Sequence, residues 1–335
     1  MQRVLLQFRD AFIAVSRHAT GMIASAWMDR VHSILTDQGL TKDARTLERL
    51  LREHGRRSMD EMKTVGVSVT ITEEETEAAY ASIASGSSDE SLVRLAAEFL
   101  PRKSQVETSL QNLAAQAPLL SRISIVNVDE EGRKVASVGS VSSDPGGRLI
   151  NEMSQEMRTA APVLRAMLAR AFSRIPIDVE RMMAQVRQSP VFVENRYTLI
   201  EEGLRLFFAE QHIAAVHLLI PQIEHALRHL AELNGISRYR RNKEGGLDLR
   251  TLDDLLGRLT GVLGDDLTLY FRVLLSDRRG WNLRNVVCHG LLPSEAFGPS
   301  LSDRVFHVLL LLGIIRRAGE SPSPTDQASK QLGYP

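Results

Sequence analysis

Between residues 212 and 233 the chain reads HIAAVHLLIPQIEHALRHLAEL. At 100° per residue, Ile213, Val216, Ile220, Ile223, Leu227 and Leu230 fall on one stripe. A stripe of this length predicts a helix that buries one face against other helices. His217, Glu224 and Arg228 line one flank of the stripe, and His225 and His229 lie on the opposite, solvent-facing side. Pro221, inside the helix, cannot donate to the carbonyl of His217 and is expected to bend the axis. Residues alone leave two readings of the flanking polar row open: the wall of a site, or a boundary row of surface salt bridges.

The same periodicity runs through most of the chain. Thr72 and Glu75 form a capping-box pattern that starts one helix, a second follows Ser88 and Asp89 and stops at Pro101, and a third runs from about 103 to 116. RISIVNVDEEGRKVASVGS predicts a β-hairpin at about 122–139 that turns at Gly132, and VGVSVTI at 65–71 could add a strand. SSDPGG at 142–147 breaks every pattern around it and is the expected domain boundary. Beyond it, helices are predicted at about 148–173, 177–188, 194–210, 212–233, 250–259, 265–276, 282–290 and 301–318. The expected architecture is mainly α. Residues 1–145 form a mostly helical domain with one hairpin and no assignable role, 148–318 a second helical domain, and 319–335 a polar, proline-bearing disordered tail.

Composition narrows the function classes. The chain has 335 residues, with 41 basic and 41 acidic side chains, so an anionic partner would have to be met by a local patch. One cysteine, Cys288, rules out an internal disulfide framework and a CxxC pair. The longest apolar run, VFHVLLLLGII at 305–315, contains His307, is too short to span a bilayer and predicts a buried helix. The N-terminal stretch carries arginines within its apolar residues and no cleavage signal, so no membrane association and a cytoplasmic location are expected.

No P-loop, GxGxxG, HExxH or GxSxG motif is present. His225 and His229 have i, i+4 ligand spacing but no evident third ligand, so neither metal nor cofactor is expected. SRYRRNKEGG gathers Arg238, Arg240, Arg241 and Lys243 around Tyr239 in a predicted loop. Such a mixture suits phosphate contact with base stacking, and equally a solvated linker. WNLRNVVCHG, at 281–290, places Arg284, Asn285 and His289 among hydrophobes, with the amide one turn from the imidazole and able to orient it. Cys288 reads as structural there, and Gly290 ends the helix. Arg49 and His54 repeat the Arg-x4-His spacing in LERLLREHGRR, but in an ordinary charged helix whose positions are expected to be exposed.

LRNVVCHG resembles the Arg-Asn-x3-His signature of the HEPN superfamily (higher eukaryotes and prokaryotes nucleotide-binding). With HLLIPQIEHALRHL upstream, residues 195–318 resemble the family catalogued as domain of unknown function 4209. The resemblance implies an antiparallel helical bundle that pairs into a homodimer around an RNA-binding cleft. It also implies metal-independent endoribonuclease activity of the toxin or phage-defence kind, with a regulatory partner or antitoxin. His289 would then be the acid/base residue, Arg284 the phosphate ligand and Asn285 their orienting group, with His217, Glu224 and Arg228 behind them. The alternatives are a non-catalytic RNA- or nucleotide-binding relative and a helical interaction scaffold.

Overall fold

The computed structural model describes residues 1–63, 72–84, 87–175 and 177–317. The strand expected at 65–71 and the tail at 319–335 lie outside the described residues. The rest is mainly helical with two small antiparallel hairpins. Contacts divide the chain into two units, Met1–Ser68 with Ser121–Asp144, and Val69–Leu120 with Pro145–Pro335.

In the first unit α1 (Gln2–Ser16), α2 (Gly21–Asp37) and α3 (Thr41–Glu61) share a small core of Met28, Val31, Leu35, Ala44 and Leu47. Glu61 caps the start of α2, accepting from the Gly21 and Met22 amides at 2.6 and 3.1 Å. The expected hairpin is present as β1 (Ile125–Val128) and β2 (Lys134–Val138). Its turn glycine, Gly132, has φ +73° and lies against α3 so closely that a Cβ there would meet the Gly55 carbonyl oxygen at 2.0 Å.

The second unit contains α4 (Glu73–Ala84), α5 (Ser88–Glu98), α6 (Lys103–Gln116) and most of the short α7 (Pro118–Arg122). It continues through α8 (Pro145–Thr159), α9 (Ala161–Arg174), α10 (Val179–Gln188), α11 (Tyr197–Phe208) and α12 (His212–Leu233). The last part is a hairpin of β3 (Tyr239–Arg241) and β4 (Leu247–Leu249), followed by α13 (Leu252–Phe271), α14 (Leu283–Cys288) and α15 (Pro299–Gly313). The helix expected at 148–173 is two helices, because Pro162 lacks the amide to continue α8 and instead opens α9.

The linear division expected at residue 145 needs correction. The chain does leave the first unit at Asp144, inside the predicted SSDPGG break, but residues 69–120 pack with the C-terminal helices. The reason lies in α15, which is buried along Leu301–Gly313. Its Arg304, 1% exposed, donates to the carbonyls of Phe99 (3.1 Å) and Met157 (3.3 Å), at the C-terminal ends of α5 and α8. Carbonyls at helix C-termini carry partial negative charge and can hold a cation without a carboxylate. His307 adds a second tie: Nε2–H donates to the Ala96 carbonyl and Nδ1 accepts from the Tyr270 hydroxyl, each at 2.8 Å. Burial, with Arg304 nearby, keeps this imidazole neutral and pulls its pKa down to about 3.

Asp303, beside Arg304, has a fully buried side chain and pairs with Arg165 at 3.2 Å. Burial raises its pKa to about 6 despite Arg165. A carboxyl raised above its unfolded value is penalised in the fold above that pH and relieved as pH falls. Replacement of Asp303 by Asn should therefore benefit the fold more at pH 7.5 than at pH 4.5, by about 2 kcal/mol. Urea unfolding of both proteins at the two pH values measures this difference, and a pH-independent difference would show that Asp303 stays ionised.

Candidate functional site

The stretch that returns the chain to α12 is shaped by residues 272–282. After α13 a π-helical turn, Arg272–Ser276, leads to Asp277. The Trp281 amide bonds back to Val273 O at 2.7 Å, and its indole N–H bonds to Ser154 O at 3.3 Å. Gly280 passes so close that a Cβ would lie 2.3 Å from the Val273 oxygen. Asn282 then adopts φ +52°, a left-handed start that turns α14 inward, and Gly290 at φ +63° ends it. Leu283 and Val287 are the buried anchors of this short helix.

The expected partners Glu224, Arg228, Arg284 and Asn285 are brought together. Arg284 Nε donates to Glu224 Oε2 at 2.7 Å, and Arg228 donates to Oε1 through Nη2 (2.5 Å) and Nε (3.1 Å). Arg228 also reaches the Arg250 carbonyl at 2.9 Å. The Glu224 and Arg228 side chains are 13% and 10% exposed and Arg284 is 33% exposed, so Arg284 is the open end of an Arg–Glu–Arg row. Burial pushes the Glu224 carboxyl up, but hydrogen bonds and charge from Arg284 and Arg228 more than offset it, leaving its pKa below the ordinary value.

Other assignments differ from expectation. The Asn285 amide does not orient His289: its oxygen accepts from Arg284 Nη1 at 3.2 Å and its nitrogen donates to Asn282 Oδ1 at 2.5 Å. α14 ends at Cys288, which places His289 at the cap, exposed, with no side-chain hydrogen bond among the described residues. Cys288 is exposed rather than enclosed in an apolar helix. His217 stays apart from the Glu224 row, donating from Nδ1 to Ile213 O at 2.8 Å and stacking on Phe297 at 5.0 Å. The apolar stripe of α12 is buried from Val216 to Leu230, but Ile213 is 49% exposed, because α12 has only just begun there. His225 and His229 are half-buried rather than solvent-facing, and burial lowers the His225 pKa, with Arg196 adding to it. Among the described residues no group of three His, Cys, Asp or Glu side chains is placed to hold a metal ion.

The segment expected to be a loop around Tyr239 is the β3–β4 hairpin, closed where Asn242 Oδ1 accepts from the Gly246 amide at 2.6 Å. Alternation puts Tyr239, Arg241, Leu247 and Leu249 on one exposed face. Arg238 pairs with Glu232 at 2.9 Å and lies over the Tyr239 ring. Arg240, Arg241 and Lys243 are exposed and make no ion pair among the described residues. Arg250, at the foot of the hairpin, donates to Ser237 O and holds Arg228 through its carbonyl. Asn282 and Arg250 are thus parts of the site that sequence reading missed. Asn282 had a signal, three residues before Asn285 on the same helical start; a backbone carbonyl such as that of Arg250 has none.

The second Arg-x4-His match is different in kind. His54 is 3% exposed, contrary to the exposure expected there, and burial and then Arg57 lower its pKa. Its Nδ1 lies 3.3 Å from Arg57 Nη1, and its buried Nε2 has no partner among the described residues. Arg49 lines a shallow surface cavity with Arg52, Glu53 and Arg56, on the outer face of α3.

No protein-family model, curated protein or solved structure matches this chain. No helix among the described residues is long and apolar enough to cross a membrane.

Proposed function

We propose that the chain is a metal-independent endoribonuclease in which His289 moves the proton and Arg284 binds the scissile phosphate. One observation carries the reading. Glu224 holds Arg284 by Nε, Asn285 takes Nη1, and Nη2 makes no hydrogen bond among the described residues, while the His289 ring close by in sequence is wholly unspent. A guanidinium fixed along one edge can still grip a phosphate with the other. RNA brings its own nucleophile: the 2′-oxygen bonds to phosphorus, the P–O5′ bond breaks, and His289 takes up and returns the proton. The products are a 2′,3′-cyclic phosphate and a 5′-hydroxyl. The basic hairpin, with Tyr239 on its open face, supplies sequence-tolerant RNA contacts.

The reading includes a homodimer. Five residues along an ideal helix place Arg284 and His289 about 140° apart around the axis and about 7.5 Å along it. A single copy therefore presents the two groups in different directions, and a second copy completes the site. The setting proposed is that of a toxin or phage-defence effector, restrained by a regulatory partner. A non-catalytic RNA-binding role is the second reading, favoured by the absence of any described side chain that sets the His289 tautomer.

Incubation of the purified chain with total RNA in excess chelator tests the proposal. New 5′-hydroxyl and 2′,3′-cyclic phosphate ends, from a protein that sediments as a dimer, are expected. Cleavage that needs magnesium or manganese, or intact RNA alongside tight RNA binding, would move the assignment to another mechanism or to the second reading.

A further inference from the structure

A cavity of about 270 Å³ opens in the second unit, away from the residues of the Arg284 cluster. Three cationic side chains line it, Lys103 from the start of α6, Arg272 from the π turn and Arg279 from the following loop, against one carboxylate, Asp265. The carboxylates that hold the two guanidiniums, Asp253 and Asp277, are not part of the wall. Arg272 spends Nε and Nη2 on Asp253 at 2.9 and 3.4 Å, which leaves Nη1 unspent among the described residues. Lys103 gives one N–H to Asp265 at 2.6 Å and makes no other side-chain hydrogen bond among the described residues.

The wall also includes the first turn of the 15-residue helix α8, at Gly146, where an added Cβ would meet nothing within 4 Å. A helix start carries partial positive charge and amides that suit anions. An independent feature lies opposite. Thr268 lines the cavity, is 6% exposed, and its hydroxyl has no hydrogen-bond partner among the described residues. A helical threonine ordinarily donates to the carbonyl three or four residues back, as Thr260 does to Gly257 and Leu256. For Thr268 the residue four back is Gly264, where α13 breaks at φ +74° and ψ 171°. A buried hydroxyl left without a partner is costly, and this one belongs to a residue that lines a cationic cavity.

We infer that this cavity binds the phosphate group of a small phosphate ester, with Lys103, Arg272 and the Thr268 hydroxyl as donors and Arg279 contributing positive charge to the wall. The space admits a phosphate with part of a sugar, and the remaining wall sets Leu149, Ile150 and Leu269 beside Thr260 and Asp265.

Calorimetric titration with inorganic phosphate and with ribose 5-phosphate is the test, with ribose alone as the uncharged control. Saturable one-to-one binding of both anions and none of ribose is expected. Thr268→Val should weaken it about tenfold, the loss of one hydrogen bond to a charged group. The threonine hydroxyl makes no bond among the described residues, so this variant should keep the native circular dichroism. Arg272→Gln should weaken binding further. Absence of saturable binding by either anion overturns the inference, as does binding that survives Thr268→Val and Arg272→Gln unchanged. Binding lost in Arg284→Gln but kept in Thr268→Val would place the anion at the candidate ribonuclease site and also overturn it. The outcome is independent of whether the chain cleaves RNA.

Discussion

Replacement of His289 by alanine is expected to lower RNA cleavage by roughly 10²- to 10⁴-fold, the usual worth of a general acid/base, and to leave the melting temperature in place. The two halves of this expectation have separate causes. The activity loss follows if His289 moves the proton. The unchanged stability follows because His289 is exposed at the cap of α14 and has no side-chain bond among the described residues to lose. Arg284→Ala should behave differently, since it strips the partly buried Glu224 of one of its two guanidinium partners. It should weaken RNA binding and stability together. Cleavage rates, RNA affinity and thermal melting measured on both variants check the pair. Full cleavage by the His289 variant would remove it from the mechanism.

Glu224→Gln should give the largest stability change of any single substitution in the cluster, a loss of about 3–5 kcal/mol at neutral pH. Glutamine fills the same space but leaves Arg228, 10% exposed, and Arg284 without their shared counter-charge. The pH dependence has a definite sign. The folded carboxyl titrates below its unfolded value, so its contribution is present above about pH 4.5 and is lost as pH falls through the folded pKa. The native protein and the variant should therefore converge in stability toward acid pH, in urea melts compared at pH 7 and pH 3. Cleavage should fall as well, because Arg284 would no longer be held at Nε. A variant as stable as the native chain at pH 7 would mean that the row is solvated rather than coupled.

The candidate cluster was only partly legible in the residue string. Arg284 and Asn285 stood out because a polar pair among Leu283, Val286 and Val287 is unusual, and Glu224 and Arg228 because they share a flank of one helix. The link between the two pairs was not readable, since Arg284 and Glu224 are sixty residues apart and meet only because α14 packs on α12. His289 shows the opposite failure. Ideal periodicity put it one turn from Asn285, but the helix stopped a residue earlier, and the amide found Asn282 and Arg284 instead.

What the sequence determined by itself is what depends on neighbours a few residues apart. That covers the helical class, the helix end at Gly290, the hairpin turning at Gly132 and the burial of the run around His307. Tertiary structure alone decided which of these pieces belong together. Residues 69–120 join the C-terminal helices because Arg304 and His307 of α15 bond to carbonyls at the end of α5, more than two hundred residues earlier. A helix pattern states which face must be covered, but a carbonyl at a helix end looks the same in every sequence, and only packing chooses the side chain that reaches it.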